Sequence, residues 1–337
     1  MNKVRNLLSL FLIIMISLFG VPLNANAQIQ ENVIVNYIDV GQGDSELIQI
    51  SGKNILIDAG NNDDLAYNYL KNLGITKLDY VIATHPHSDH IGGMATIIDN
   101  FDIGTFYAPK VTATTRVFER MVTALNNKNV KIKVPKVGDT LNIGNVTLEF
   151  LAPNSPKYRK VNNYSIVTKL KYGNTSFIFT GDAESLSEGE ILQKQLDISA
   201  DVLKLGHHGS RTSTSKGFLN AVNPKYAIVS AGKGNDYGHP HEETIKKLNE
   251  KNIQVFRTDI SGTIIAVSNG STINFTNEDD TSSSIEKETS DNSVWIANNK
   301  SKVYHSNNNC SKMKNPIKIL LEDAKNRGLR PCSRCVK

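Results

Sequence analysis

Tyr80-Val-Ile-Ala-Thr-His85-Pro-His87-Ser-Asp89-His90-Ile-Gly-Gly93 sets four potential metal ligands within six residues, directly after an apolar strand-like run and ahead of a helix-like one. A strand end that opens into a loop can turn alternate side chains toward one point, so His85 and His87 can share one cation. Asp89 and His90, at the start of the following helix, can reach a second. Three of the chain's eight histidines fall in these six positions, a concentration that a solvated surface has no reason to hold. Imidazole with carboxylate suits borderline divalent ions such as zinc, and further oxygen ligands shift the preference toward manganese.

Two more sets of ligands lie far downstream, as a site assembled by folding requires. Phe177-Ile-Phe-Thr-Gly181-Asp182 ends an apolar run on a carboxylate whose two oxygens can bridge two cations. Leu203-Lys-Leu-Gly-His207-His208-Gly-Ser210 ends another on paired histidines. At least one of His207 and His208 is expected to bind metal, and the spacing leaves open which. Around these motifs, short β-rich runs bounded by Gly, Asn and Asp predict strands at 33–39, 46–50, 54–58, 80–84, 147–152, 165–172, 175–180, 201–204, 226–230, 254–257 and 263–268. Apolar periodicity predicts helices at 64–73, 92–100, 115–126 and 241–251, the last opening on Pro240 and an acidic first turn. Sheets interspersed with amphipathic helices imply a layered α/β or α+β domain.

The whole chain of 337 residues is 39% hydrophobic and 21% charged, which excludes wholesale disorder, collagen and coiled coil. Residues 1–27 have the pattern of a secretory signal peptide: Lys3 and Arg5, an apolar run over 7–19, and an exit ending Ala25-Asn26-Ala27. The run is shorter than the roughly 20 residues a membrane span needs, so cleavage near Gln28 and a secreted, extracellular chain are expected. No later stretch is apolar enough to cross a membrane. Residues 277–292 hold six acids against Lys287 and one large aliphatic residue, Ile285, and read as a disordered linker between a domain over 28–276 and a small unit over 293–337. The formal charge of +5 is uneven: residues 293–337 carry ten Lys/Arg against Glu322 and Asp323, whereas residues 28–276 balance to zero.

The small unit cannot bury much core and needs a staple. Val303-Tyr304-His305, Cys310, and Arg330-Pro331-Cys332-Ser-Arg-Cys335 offer one His and three Cys at a spacing that closes a tetrahedral zinc site. Three cysteines suit disulfides poorly, because one is left over. With zinc bound, the unit stays basic enough to hold nucleic acid or an anionic cell-wall polymer.

The H-x-H-x-D-H run, Asp58 ending Ile55-Leu-Ile-Asp58-Ala-Gly60, Thr180-Gly-Asp182 and His207-His-Gly-Ser210 together resemble the metallo-β-lactamase superfamily. More narrowly, Asp39-Val-Gly-Gln-Gly-Asp44-Ser, Asn162-Asn163-Tyr-Ser165 and Gly238-His-Pro-His241 are similar to the soluble hydrolase domain of the ComEC competence-protein family. The resemblance covers about residues 33–275 and implies an αββα sandwich with two divalent metal ions, zinc or manganese, at one edge of two sheets. It implies His85, His87, Asp89, His90, Asp182 and one of His207 and His208 as ligands, with Asp58 supporting a ligating imidazole from behind. Many superfamily members place another His ligand between the first run and the Asp. This sequence has no His from 91 to 206, and the Asn163/Ser165 region stands there instead, so one metal is expected to have an open position or to bind weakly. The membrane-spanning segments of the full competence proteins have no counterpart here. The tail resembles small Ada-like metal-binding modules at the ends of secreted bacterial nucleases and hydrolases.

The mechanism implied is attack by a metal-activated hydroxide on a phosphoryl or acyl centre, with no nucleophilic side chain required. Asp89 and Asp182 are the groups expected to orient the hydroxide, and Asn163, Ser210 and His241 those expected to donate to a scissile phosphate. Gly41 and Gly43 are expected to permit a tight turn with close backbone approach to an anion. The combination points to a secreted phosphodiesterase, foremost a nuclease acting on DNA. The neutral large domain also fits a phosphoester or lactone hydrolase for a cell-wall or small-molecule substrate. A non-enzymatic DNA- or wall-binding protein requires the metal site to have lapsed.

Overall fold

Alternating apolar residues build two sheets whose inner faces share one core. In the first half of the chain, β1 (Val33–Tyr37), β2 (Glu46–Ile50) and β3 (Lys53–Ile57) form an antiparallel meander. Helix α1 (Leu65–Asn72) then returns the chain to β4 (Lys77–Ile82), parallel to β3. Helices α2 (Ser88–Ile91) and α3 (Met94–Asn100) lead to β5 (Asp102–Tyr107), and α4 (Arg116–Asn127) to β6 (Ile132–Lys133), both strands continuing the parallel half. The second sheet opens with the antiparallel strands β7 (Thr140–Ile143), β8 (Val146–Ala152), β9 (Val167–Tyr172) and β10 (Thr175–Phe179). After α5 (Ser185–Gln193), α6 (Lys216–Val222) and α7 (Glu242–Asn249) as crossovers, β11 (Val202–Lys204), β12 (Tyr226–Val229) and β13 (Gln254–Arg257) extend it in parallel. Helix α8 (Thr258–Ser261), β14 (Ile264–Ser268) and β15 (Ile273–Asn277) follow, the two strands joining the first sheet beside β1. The sheet orders are β15-β14-β1-β2-β3-β4-β5-β6 and β13-β12-β11-β10-β9-β8-β7.

This is a computed structural model, and it describes residues 31–61, 64–277, 293–298, 301–310, 313 and 316–336. The signal peptide expected over 1–27 and all but Asn277 of the linker expected over 277–292 lie outside the described residues. Asn277 itself is the last residue of β15, paired with Ile264.

Period-two burial makes the αββα layering physical. Val33, Val35, Tyr37, Ile55 and Ile57 from one sheet meet Leu148, Phe150, Phe177 and Phe179 from the other in the central core. The opposite faces are covered by helices: Leu56 and Val81 pack with Leu70, Ile97 and Met121, and Ile178 and Leu203 with Ile191, Phe218 and Leu248. The predicted αββα metallo-β-lactamase-like sandwich is the fold observed. Among the described residues, no helix is long and apolar enough to cross a membrane.

In the C-terminal unit, β16 (Ser293–Ile296) pairs with β18 (Ile317–Leu320), and β17 (Val303–Tyr304) with β19 (Arg330–Pro331); α9 (Leu321–Asn326) lies between the last two strands in sequence. Its core is small: Val294, Ile296, Tyr304 and Ala324, with a few partly buried neighbours.

Candidate metal centre

The ligands converge because each follows the carboxyl end of a strand in the parallel half of its sheet. Asp58 follows β3, His85 follows β4, Asp182 follows β10, and His207 and His208 follow β11. Crevices outside the carboxyl ends of parallel strands are where α/β sheets place their sites. Among the described residues three groups of ligand atoms form there, the atoms of each lying within 4.8 Å of one another: His85, His87 and Asp182; Asp89, His90, Asp182 and His208; and, behind the second, Asp44, Asp58 and His90. Asp182 belongs to the first two. Its Oδ2 lies 3.7 Å from His85 Nε2, and its Oδ1 lies 3.2 Å from His90 Nε2 and 3.6 Å from His208 Nε2. His85 Nε2 is 3.0 Å from His87 Nδ1, and His208 Nε2 is 3.2 Å from Asp89 Oδ2.

These donors fit divalent cations. His90 Nε2 and Asp182 Oδ1 are both buried and neither has a hydrogen-bond partner, although they are 3.2 Å apart. Buried polar atoms rarely stay unpartnered unless something else satisfies them. The far side of each ring is held so that the near nitrogen points inward. His90 Nδ1 donates to Asp58 Oδ2 at 2.7 Å, and Asp58 is itself fixed by the Thr84 backbone N–H and hydroxyl at 2.7 and 2.6 Å. His208 Nδ1 donates to the Ser230 carbonyl at 3.0 Å and lies 3.1 Å from Asp44 Oδ1. His85 Nδ1 sits 3.1 Å from Thr84 Oγ1 and 3.3 Å from Ser165 Oγ, which also accepts the Asp182 backbone N–H at 3.0 Å.

Charge accumulates behind the ligands. Lys204, fully buried, donates to both oxygens of Asp44 at 2.8 and 2.7 Å. Burial opposes ionisation of Asp44, yet Lys204 and His208 hold its pKa down to about 2. Burial also opposes a charged His208, but Asp182 and Asp44 push it up to about 10 in the metal-free chain, and Asp182 and Asp58 hold His90 well above its ordinary value. The His85 imidazole goes the other way, kept neutral by burial and by the charge on His90. Asp89 stays ionised against its burial because His90 and His208 face it.

Backbone conformation completes the site. His207 and His208 have successive left-handed φ values of 51° and 53°, a conformation that costs non-glycine residues roughly 1–3 kcal/mol each and gathers at functional sites. A Cβ at Gly43 would collide with the carbonyl oxygen of Asp89, whose carbonyl accepts the Asp44 N–H at 3.0 Å. Gly43 thus permits close packing against the metal-ligand loop, whereas a Cβ at Gly41 would meet nothing within 4 Å.

A cavity of about 340 Å³ opens over the centre, lined by His87, Asp89, Asp182, His207, His208, Tyr237 and His239 among others. His207, partly exposed, lies 3.7 Å from Asp182 Oδ2 on the His85 side, with its Nδ1 near Thr212 Oγ1 and Asn162 Nδ2. His208 is the member of the pair inside a ligand group. Three residues expected at the scissile phosphate lie outside this lining. Asn163 Oδ1 accepts the Ser187 N–H at 3.2 Å, Ser210 Oγ lies 3.1 Å from Thr212 Oγ1, and His241 Nδ1 accepts the Arg211 N–H at 3.1 Å. Each is engaged in holding a loop. His239, two residues before His241, reaches the wall instead. Asn235 accepts its N–H and donates to its carbonyl, and the exposed Tyr237 ring stacks on its imidazole. Its signal lay in the Gly238-His-Pro-His241 run, where nothing local said which His turns inward.

In the C-terminal unit, His305, Cys310, Cys332 and Cys335 form the expected Cys₃His cluster. Cys335 Sγ lies 3.6 Å from His305 Nδ1, and Cys310 Sγ lies 3.8 Å from Cys332 Sγ, too far for a disulfide. The Cys332 carbonyl accepts N–H groups from Cys335 and Val336, turning the C-x-x-C segment back on itself. Hydrogen bonds from its surroundings, against the effect of burial, lower the Cys335 thiol to about 6.

A family model described as the metallo-beta-lactamase superfamily matches residues 38–233. ComE operon protein 3 of Bacillus subtilis is 35% identical over 252 residues, 68% of this chain and 32% of that protein. Competence protein ComA of Neisseria gonorrhoeae is 30% identical over 239 residues, 70% of this chain and 32% of that one. The chain thus spans about a third of the length of these relatives. Among solved structures, the metallo-beta-lactamase fold protein YhfI of Bacillus subtilis is 14% identical with a TM-score of 0.48, covering 71% of this chain and all of that one. Igni18, a metallo hydrolase of Ignicoccus hospitalis, is 16% identical with a TM-score of 0.48, covering 69% of this chain and 98% of that one.

Proposed function

This chain belongs to the metallo-beta-lactamase superfamily, and on that premise we propose that it is an exported phosphodiesterase that cleaves DNA with two divalent cations, zinc or manganese, held around Asp182. The observation that carries the reading is one buried carboxylate shared by two ligand groups. Two cations in such a site lower the pKa of water toward neutrality and polarise phosphoryl oxygens. The rest falls to the protein's own residues. His85 and His87 would hold one cation and Asp89, His90 and His208 the other, with Asp182 within reach of both groups. Asp89, open to the cavity, would orient the attacking water by accepting its hydrogen bond at a carboxylate oxygen. His239 and Tyr237 form the wall against which the substrate lies.

DNA is supported as substrate by the competence proteins among the relatives. Export is supported by the leader pattern over 1–27, and retention on a polyanion by the charge of 293–337. One structural zinc is proposed for the Cys₃His cluster. The test pairs elemental analysis of the purified chain with cleavage of DNA and of bis-p-nitrophenyl phosphate. Three metal ions per chain, one of them zinc, and turnover of both substrates lost in His87→Ala are expected. Both substrates left intact by metal-loaded protein, with His87→Ala unchanged in metal content, would sink the reading.

A further inference from the structure

The neutrality of residues 28–276 conceals a polarised surface. Residues 108–160 alone carry ten Lys/Arg against Glu119, Asp139 and Glu149. Lys110, Lys131, Lys133, Lys136 and Lys157 are all exposed, and among the described residues none of them stands in an ion pair. Two of them, Lys110 and Lys157, line a cavity of about 740 Å³ whose walls also include Phe118, Ile132, Val134 and Tyr164. Its floor is apolar and open: Ile132 is 40% exposed and Val134 45%. Exposed aliphatic surface flanked by cations marks an interaction site.

The groove borders the elements that carry the metal centre. Tyr164 on one wall precedes Ser165, whose Oγ lies 3.3 Å from His85 Nδ1. On the other wall, Pro109 and Val111 also line the small cavity that touches His85 and Pro86, and the same loop reaches Thr115, which lines the catalytic cavity.

We infer that this groove seats a single strand of nucleic acid running out of the metal centre, with its bases against the apolar floor, Phe118 and Tyr164, and its phosphates on Lys110 and Lys157. The inference rests on the phosphodiesterase reading for its direction and adds the surface that holds the substrate. A duplex hides its base faces and offers only phosphates, which leaves the floor unmatched; an exposed single strand offers both. A glycerol-phosphate polymer has the charge without the faces.

The full-length chain and its Lys110→Glu/Lys157→Glu variant are titrated by fluorescence anisotropy with a labelled oligothymidylate, with its duplex, and with poly(glycerol phosphate) as competitor. Turnover of bis-p-nitrophenyl phosphate is followed in parallel. Loss of two phosphate contacts should weaken oligothymidylate binding on the order of tenfold and flatten its salt slope by roughly 1.4, about 0.7 per contact on a single strand. Turnover of the small diester should not change, because neither lysine touches the metal ligands. Equal oligothymidylate affinity in wild type and variant overturns the groove while leaving the phosphodiesterase reading intact. A duplex bound as tightly as the single strand, or poly(glycerol phosphate) competing equally at matched phosphate, overturns the single-strand assignment. A wild type inert toward the small diester overturns the phosphodiesterase reading, and the anisotropy comparison then decides the groove alone.

Discussion

Two candidate metal-binding regions among the described residues are built on opposite principles. The Asp182 centre sits at the end of a two-sheet core, with His85, His90 and His208 each held at Nδ1 by a fixed oxygen. The Cys₃His cluster of the C-terminal unit has a handful of apolar residues beneath it. The first is shaped by the fold before any cation arrives. The second is the larger part of what its own unit has to fold around. Preorganisation of the first has its own cost: Lys204 and Asp44 are both buried and charged, and their pairing is what makes that tolerable.

This contrast breaks most readily at the small unit. Cys332→Ser should abolish the protection of residues 293–336 in hydrogen exchange while leaving the melting of residues 31–277 unchanged, since structural zinc contributes an apparent 10–16 kcal/mol, roughly, in small metal-folded units. Protection that survives would show that the apolar residues suffice. In the large domain, Lys204→Met should cost about 3–5 kcal/mol in denaturant unfolding by leaving the buried Asp44 charge with only His208 to face it. Restoration by a second change, Asp44→Asn, would locate the loss in the ion pair, and an unchanged midpoint would refute it.

Smaller effects sharpen the picture of how rings are aimed. Asp58→Asn should keep the fold and lower metal affinity or turnover by about 10–100-fold, the usual result of removing the partner behind a ligating imidazole. Metal titration of the two proteins checks this, and equal affinities would mean that Thr84 alone positions the ring. The smallest effect is on pH. His208 is raised to about 10 in the metal-free chain, so its contribution to stability is full below the unfolded value of about 6.5 and is lost as pH rises through about 10. A cation takes the proton's place. Calorimetry at pH 7 in buffers of different ionisation enthalpy should register proton release on loading, and metal affinity should fall as pH is lowered. Loading without proton release would contradict the charged His208.

Elements with strong periodicity were legible from residues alone. The strands at 46–50 and 254–257 and the helix at 115–126 match β2, β13 and α4 to within a residue at each end. Helices α5 and α6 were not foreseen. Ser185–Gln193 carries Gly189 and buries Ser187 and Glu188 beside Ile191, so its inward face is not apolar, and Lys216–Val222 is too short for its period to register. Strands β5 and β7 show mixed exposure along their length, which blurs alternation.

At the centre the same division holds. Residue chemistry and order along the chain were enough to nominate His85, His87, Asp89, His90 and Asp182, because ligands at strand ends are a local pattern, while Asp58 came from the family resemblance. Which of His207 and His208 enters a ligand group, that Ser165 stands behind His85, that His239 and not His241 reaches the cavity, and that Lys110 and Lys157 line one groove were decided only by folding. Side-chain identity is written in the chain, but direction depends on backbone dihedrals and packing from segments more than a hundred residues apart, as Lys204 meeting Asp44 illustrates.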